Sequence, residues 1–318
     1  MPHTFDLLVI GDANPDVIIG PLDTPLAFGQ REQLVPTGAL TIGGSGAIVA
    51  CGAARLGLRV AFAGRVGDDD AGRYMRDRLA AHGVDTEALT LDPGRATPLT
   101  VALTRGDDRA ILTAPGTLAA TAADDVPLAL LRAARHVHSA SYFLMPQLAT
   151  VLPELLRTAR HHGATTSLDT NDDPAGRWDP TGLDAVLAHT DFLLPNAAEA
   201  RHLARYDTTD PAEAAARLAA RGPVTVVKNG ADGALCHDGE HLFTTRGIPV
   251  DPVDAVGAGD SFDAGFIAGL LHEMPLPEAL RLAAVCGALS TRAHGGTTAQ
   301  PTWDEALTRL PETEETPA

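Results

Sequence analysis

The segment DPVDAVGAGDSFDAGF (251–266) combines residue types that could bind an anion and act on it. Gly257 and Gly259 precede a pattern in which Phe262 and Phe266 lie at helical spacing, so a glycine-rich loop leads into a helix. The first N–H groups of a helix have no partner within it and, together with the helix dipole, attract phosphate-like anions. Because glycine lets a ligand approach the backbone closely, the segment predicts an anion-binding turn.

A carboxylate, Asp260, directly follows these glycines. An acidic residue at the start of a helix is ordinarily a cap. Its alternative role is that of a general base beside the anion site, placed to deprotonate a hydroxyl that attacks a phosphoryl group. The local sequence leaves both roles open.

This segment resembles the C-terminal signature of the ribokinase-like (PfkB) carbohydrate kinase family, D-x-x-G-A-G-D-x-F, and the resemblance covers nearly the whole chain. It implies an ATP-dependent phosphotransferase that acts on an alcohol group of a small sugar or sugar-like substrate. It also implies that Asp260 is the base and contacts the substrate, and that the glycine turn stabilises charge on the phosphoryl group. The residues that match are Asp254, Gly257, Ala258, Gly259, Asp260 and Phe262.

The charge of the chain limits its partners. The 318 residues include 24 Lys or Arg and 41 Asp or Glu, which gives a net charge of −17. This composition argues against nucleic acid or an anionic membrane as a partner, because both require a basic face. Lys228 is the only lysine, and no Gly-Lys-Ser/Thr P-loop occurs, so an ATP site must be built by another device.

Cysteine usage and the termini indicate a cytoplasmic protein. Cys51, Cys236 and Cys286 are widely spaced and form no C-x-x-C pair, which predicts buried, reduced thiols. The N-terminus lacks the basic region of a signal peptide, and no apolar run approaches the ~18 residues of a membrane span. The last residues, 311–318, are predicted to be a disordered acidic tail.

The order of apolar segments predicts an α/β fold. Short buried runs such as FDLLVI (5–10), Thr165–Leu168 and Val224–Lys228 alternate with helical patterns. This alternation predicts a doubly wound, mostly parallel sheet in one domain over residues 1–310.

Two segments, at about 14–42 and 96–114, have a different character. The first contains the β-like runs VIIG, QLVPT and ALTI, and the second alternates apolar and polar residues around a turn at 106–108. We expect a small separate sheet, although an ordinary edge of the main sheet is an alternative. In the family such a sheet is a lid over the sugar and often the contact of a homodimer.

The substrate residues are predicted at the end of the first strand. Asn14 and Asp16 could simply form a turn, but they match the N-x-D pair with which the family holds substrate hydroxyls. Gly43 and Gly44 match the glycines that approach the sugar. Ile48 stands where the family commonly has Asn, which leaves the identity of the substrate open.

Two further motifs concern the metal and the nucleotide. Asn196 and Glu199 match the family's N-x-x-E motif, which positions Mg²⁺ largely through water, although the same pair could form only a capping box. Lys228, Gly230 and Gly233 match the K-x-G-x-x-G turn beside the nucleotide, with Asn229 as a mild departure. The expected nucleotide contacts are Asn196, Lys228, Gly230, Gly233, Gly257 and Gly259.

Other positions qualify the resemblance. Asp254 matches a position that in some relatives helps to bind a monovalent cation such as K⁺. Asp169-x-Asn171 resembles a motif near the phosphoryl-transfer site, but Asp173 stands where relatives often have Arg. Val285 stands where relatives often have Asn, in the helix that borders the adenine.

Two alternative functions remain at this point. A nucleoside kinase of the same family would need an apolar clamp for the base, to which Ile48 could contribute. A non-catalytic binding protein could share the fold, but the intact Asp260 and its glycine turn argue against it.

Overall fold

The computed structural model describes residues 3–105, 108–205 and 208–310. The acidic tail predicted for 311–318 and two residues of the predicted turn, Gly106 and Asp107, lie outside these ranges. The strands are β1 (Phe5–Ile10), β2 (Asn14–Gly20), β3 (Thr37–Gly43), β4 (Val60–Gly67), β5 (Leu89–Asp92), β6 (Leu99–Arg105), β7 (Asp108–Ala114), β8 (Ala134–Ser139), β9 (Thr165–Leu168), β10 (Phe192–Leu193), β11 (Val224–Lys228), β12 (Ala234–His237) and β13 (Leu242–Thr245).

The helices lie between these strands and after them. They are α1 (Ser45–Arg55), α2 (Asp70–Ala81), α3 (Leu128–Ala133), α4 (Pro146–His161), α5 (Pro180–Leu187), α6 (Ala197–Ala204), α7 (Pro211–Ala219), α8 (Ala258–Leu271), α9 (Leu276–Ser290) and α10 (Trp303–Arg309). No helix in the described part of the chain is long and apolar enough to cross a lipid bilayer.

The large sheet has nine strands in the order β13-β12-β11-β10-β9-β8-β1-β4-β5. Neighbours from β5 to β11 run parallel, whereas β12 and β13 are antiparallel additions at one edge. Apart from Asp6, the β1 run is apolar because both its faces are covered. Leu7 and Val9 pack with α8 and α9 on one face, and Leu8 and Ile10 pack with α4 on the other. The predicted doubly wound, mostly parallel sheet is therefore confirmed.

A second sheet contains four strands in the order β3-β2-β6-β7. Its strands pair with one another and not with the large sheet, so the alternative of an ordinary sheet edge is wrong. The expectation of a strand in the QLVPT run is also wrong before Thr37. Residues 33–36 have no partner strand, Leu34 is 88% exposed, and Pro36 has no N–H to donate.

Candidate active site

Helix α8 begins at a position that requires glycine. Gly257 is its N-cap, with a φ of 73°, and the Cα of Gly296 lies 2.6 Å from the place of a Cβ. No side chain in the described ranges caps the helix. Among the described residues, the N–H groups of Gly259 and Asp260 have no hydrogen-bond partner. This turn can therefore donate to an anion such as a phosphate.

The carboxylate of Asp260 faces away from its own helix. It accepts a short hydrogen bond from the hydroxyl of Ser45, at the start of α1, and it makes no capping bond among the described residues. Burial raises the pKa of Asp260 to about 7, the hydrogen bond from Ser45 opposes this, and the charge of Asp169 adds to it. A carboxylate with such a pKa can take up a proton near neutral pH, which suits a general base.

The only lysine of the chain lies beneath this turn. Lys228 Nζ is 2.6 Å from Asp169 Oδ2 and 3.1 Å from both carboxylate oxygens of Asp263. Burial alone would lower the pKa of Lys228, but the two carboxylates outweigh it and raise the pKa. For Asp263, which is fully buried on α8, burial dominates and raises its pKa well above the usual value.

Neither Asp263 nor Ser45 was predicted from the sequence to be a site residue. A signal for Asp263 was present, since it is an acidic residue within an apolar helical pattern, in a chain whose only lysine ends a buried strand. A buried charge requires a partner. For Ser45 no such signal exists, because a serine after two glycines is an ordinary helix start.

A cavity of 580 Å³ opens beside the turn. Its walls come from the turn after β11, the loop before α8, and helices α8 and α9, and they are mainly Gly, Ala, Pro and other apolar residues. The volume lies in the range of small-molecule sites, about 300–1,000 Å³. Four of the expected nucleotide residues line it, whereas Asn196 and Gly257 do not. The four are Lys228, Gly230, Gly233 and Gly259.

Asn196 and Glu199 form the capping box of α6. The Asn196 side chain accepts the N–H groups of Ala198 and Glu199, each at 2.9 Å. In return, the Glu199 carboxylate accepts from the Asn196 N–H at 2.8 Å and from its Nδ2 at 2.6 Å. Burial, with the charge of Asp169 as a lesser cause, raises the pKa of Glu199 to about 7. The cap is therefore formed, and each carboxylate oxygen retains a second lone pair for water.

Asn14 and Asp16 begin strand β2, so the turn considered for them is wrong. Asn14 Nδ2 donates to Asp16 Oδ1 at 2.8 Å and to Thr100 Oγ1 at 3.2 Å. Gly43 pairs with Asn14 and leaves room for the Asp16 carboxylate, because a Cβ there would lie 1.9 Å from Asp16 Oδ1. Burial, together with the charge of Asp12, raises the pKa of Asp16 to about 7.

Asp12 links this side of the site to α1. Its carboxylate accepts the N–H groups of Ser45 at 3.2 Å and Gly46 at 2.9 Å. Gly44, between them and β3, has a φ of 85° and lies against the Asp12 backbone. The charge of Asp12 raises the pKa of Asp260 as well as that of Asp16, so these three carboxylates share one region.

Asp254 joins two loops of the site. Its carboxylate accepts from the N–H of Val256 at 2.9 Å and from that of Gly295 at 3.0 Å. These bonds hold the loop before α8 against the loop after α9.

The chain matches the model of the pfkB family of carbohydrate kinases over residues 4–303. It belongs to that family. It is 32% identical over 307 residues to an ATP-dependent ribose-1-phosphate kinase of Halopiger xanaduensis, covering 96% of this chain and 98% of that one. It is 35% identical over 281 residues to a fructokinase of Klebsiella pneumoniae, covering 83% and 90%.

Solved structures agree with this assignment. The Arabidopsis thaliana ribokinase complexed with ribose and ATP superposes with a TM-score of 0.84 at 25% identity, over 98% of this chain and 99% of that one. The expected ribokinase-like fold is confirmed. This pfkB-family protein is accordingly an ATP-dependent kinase that acts on a sugar hydroxyl.

The departures from the family pattern now have structural contexts. Ile48 is 3% exposed and lies against Gly257 and Gly296, so it is not free to clamp a nucleoside base. Val285 is fully buried and is not part of the cavity wall. The Asp173 carboxylate accepts backbone N–H groups from the turn that follows it, at 2.7 to 2.9 Å, so here it stabilises a local turn.

Proposed function

We propose that this kinase transfers the terminal phosphoryl group of ATP to a hydroxyl of a small, uncharged sugar or polyol, with Asp260 as the base. The observation that carries the proposal is the placement of Asp260. It lies on the turn where, among the described residues, the N–H groups of Gly259 and Asp260 are unpaired, next to the cavity, and its carboxylate shares a region with Asp12 and Asp16.

The chemistry follows from this geometry. Asp260 accepts the proton of the substrate hydroxyl while the oxygen bonds to phosphorus, and the bond from phosphorus to the bridging oxygen of ADP breaks. The N–H groups of Gly259 and Asp260 donate to the oxygens of the transferred group. The apolar cavity, lined in part by Lys228, Gly230 and Gly233, takes the adenosine part of ATP.

The residues present fit Mg²⁺ bound with the nucleotide. Among the described residues no group of three or more His, Cys, Asp or Glu could hold a metal ion, but Mg²⁺ keeps several waters and needs few protein ligands. Asn196 and Glu199 would position water on the ion, which when bound neutralises phosphate charge. We also propose that Asp254 lies near a K⁺ site. This proposal predicts faster turnover in KCl than in NaCl.

The substrate is proposed to be uncharged because its side of the site is acidic. When ionised, Asp12, Asp16 and Asp260 would each repel a phosphate or carboxylate on the sugar, and the charge of Arg109 acts on Asp16 in the opposite sense. Hydrogen-bonding pairs such as Asn14 and Asp16 suit the hydroxyls of a polyol. The named activity of the Halopiger relative, on ribose 1-phosphate, is therefore not the activity that we propose here.

A panel of acceptors tests this proposal. Ribose, fructose, 2-keto-3-deoxygluconate, ribose 1-phosphate and adenosine are each supplied with ATP and Mg²⁺, and ADP formation is measured. We expect the highest kcat/KM on a neutral sugar. Preference for ribose 1-phosphate or 2-keto-3-deoxygluconate would contradict the uncharged class, and preference for adenosine would support the nucleoside kinase instead.

We further propose that the small sheet is a lid and the contact of a homodimer. One of its faces carries a row of apolar residues across all four strands, with Leu40 and Leu112 more than half exposed. Such a row on an open sheet is suited to cover by a second copy. The row is Leu40, Val17, Val101 and Leu112, paired in that order.

Light scattering at micromolar concentration tests the dimer. Leu112→Asp should convert a dimer to a monomer, whereas Arg95→Asp, outside this sheet, should not. A wild-type monomer at every concentration would contradict the dimer and leave the kinase assignment intact.

Free, buried cysteines and dependence on ATP support a cytoplasmic location.

A further inference from the structure

Two residues outside α8 hold the carboxylate of Asp260 at its Oδ1 atom. The hydroxyl of Ser45 donates to Oδ1, and Asn171 Nδ2 donates to the Ser45 oxygen at 3.1 Å. Asn171 Oδ1 accepts the N–H of Ser141 at 2.7 Å, so the amide nitrogen must be the end that points to Ser45. Because the Ser45 hydroxyl has one hydrogen, which it donates to Asp260, its oxygen must accept the hydrogen bond from Asn171. The direction of each of these hydrogen bonds is therefore fixed.

The backbone at this place is held in an uncommon conformation. Ser141 and Asn171 both have positive φ values, 58° and 54°, although neither is glycine. Such residues carry a conformational cost and cluster at functional sites. The N–H of Asn171 also donates to Asp169 Oδ1 at 3.1 Å.

These contacts form a closed path. The other oxygen of Asp169 binds Lys228, and Lys228 binds Asp263, which lies one turn after Asp260 on the same helix. The path therefore fixes α8 at two points of its first turns. We call it the positioning ring, and its members are Ser45, Asp169, Asn171, Lys228, Asp260 and Asp263.

We propose that Ser45 and Asn171 are positioning residues that hold Asp260 so that its Oδ2 atom accepts the proton of the substrate hydroxyl. Among the described residues Oδ2 has no hydrogen-bond partner, whereas Oδ1 is occupied by Ser45. The proposal rests on the assignment of Asp260 as the base and goes beyond it by naming the atom and the residues that present it. The proton moves from the substrate oxygen to Oδ2 as that oxygen bonds to phosphorus and ADP leaves.

The pH profile distinguishes this role from a structural one. The charged groups that act on Asp260 are Asp12 after β1, Asp169 after β9, Lys228 at the end of β11 and Asp263 on α8 itself. A Ser45 variant leaves all four in place. A hydrogen bond donated to a carboxylate lowers its pKa, so removing the hydroxyl should move the lower limb of the kcat profile to higher pH.

The experiment compares four variants by steady-state kinetics on the best acceptor. Ser45→Ala should lower kcat about tenfold or more, the effect of one hydrogen bond to a charged group, with an unchanged KM for ATP. Ser45→Thr keeps a hydroxyl and should recover most of the loss. Asn171→Gly accepts the positive φ and should move the limb in the same direction. Ser261→Ala removes a neighbouring buried hydroxyl, bound to Gln300, and should leave the limb unmoved.

Three results would overturn the proposal. The first is a wild-type kcat and limb in Ser45→Ala. The second is a raised KM for sugar with an unmoved limb, which would make Ser45 a sugar contact. The third is full activity of Asp260→Asn, measured in parallel, which would remove the base itself. If Asp260→Asn is inactive, Asp260 remains the base, and the result for Ser45→Ala tests only the positioning role. If Ser45→Ala does not fold, Asn171→Gly tests the positioning role instead.

Discussion

Helices α6 and α8 both begin with an acidic residue as the third residue of the first turn, Glu199 and Asp260. In α6 the N-cap is Asn196, and the carboxylate returns to the cap, so the helix start is closed by its own side chains. In α8 the N-cap is Gly257, which has no side chain, and the carboxylate turns to Ser45 on another helix.

The difference shows how one residue type at one position serves two purposes. The side chain at the N-cap of α6 satisfies the N–H groups of the second and third helical residues, so these groups are not available to a ligand. A glycine at the N-cap leaves these groups open and releases the third residue for chemistry. Lys228 lies between the two starts, since its N–H donates to Pro195 O at 3.0 Å and its side chain binds Asp263 on α8.

Removal of Lys228 should have the largest effect. Lys228→Met keeps the bulk of the side chain but leaves Asp169 and Asp263 buried without a cation, which should cost about 3–5 kcal/mol of the free energy of unfolding. Urea denaturation measures it. The loss should be greater at pH 8 than at pH 5, because protonation neutralises the carboxylates. An unchanged midpoint at both pH values would show that the cluster is not needed for stability.

Asp260→Asn tests the α8 side of the comparison. The substitution is nearly isosteric and breaks no cap, so the thermal midpoint should change little. It removes the proton acceptor, and turnover should fall at least about a hundredfold with ATP affinity near normal. A single-turnover assay and an ATP titration measure both. Near-wild-type turnover would show that Asp260 is not the base and has only a structural role at the start of its helix.

The two acids should also differ in what their titration controls, although both have a pKa of about 7. For Asp260 the ionised form is the active one, so kcat should fall about tenfold per pH unit below pH 7. For Glu199 the folded state holds the proton more tightly than the unfolded chain, so stability should fall as pH rises through 7. Glu199→Gln should make that stability curve less steep between about pH 4.5 and 7, where Asp16 and Asp260 also titrate, and keep the kinetic limb.

The smallest effect should come from the cap of α6. Below about pH 4.5, where Glu199 is protonated, Glu199→Gln should be nearly as stable as the wild type because its carbonyl oxygen still completes the capping box, whereas Glu199→Ala should lose about 1 kcal/mol. If the carboxylate also positions water on Mg²⁺, the Gln variant should need about tenfold more Mg²⁺. A wild-type Mg²⁺ titration curve for Glu199→Gln would leave the residue with the cap alone.

Sequence reasoning succeeded where a pattern is local. The bounds of β9 and β11 were predicted as they occur, because each is a short run that contains β-branched residues and is followed by a polar residue. The hairpin of β12 and β13 was not predicted, since two strands of four residues give too little alternation. The run at 33–36 has β-forming residues, but a strand also needs a partner, which the sequence does not show.

The active site was also predictable only where its residues belong to a local pattern. Polar residues at strand ends, such as Asn14, Asp16 and Lys228, could be named because parallel strands end at one edge. The link from Ser45 to Asp260 could not, because it spans 215 positions and depends on how α1 and α8 pack. Whether Glu199 or Asp260 was a cap also depended on the N-cap side chain and its rotamer.

Because the chain has a single lysine, chemical labelling of that residue can measure local opening of the structure. Reagents that acylate primary amines have two targets here, the N-terminus and Lys228. The Lys228 side chain is only 10% exposed and is charged through its contacts with two carboxylates, so it reacts only when those contacts open. The rate of labelling at Lys228, followed by mass spectrometry with and without nucleotide, therefore measures how often the ion pairs under the glycine turn open.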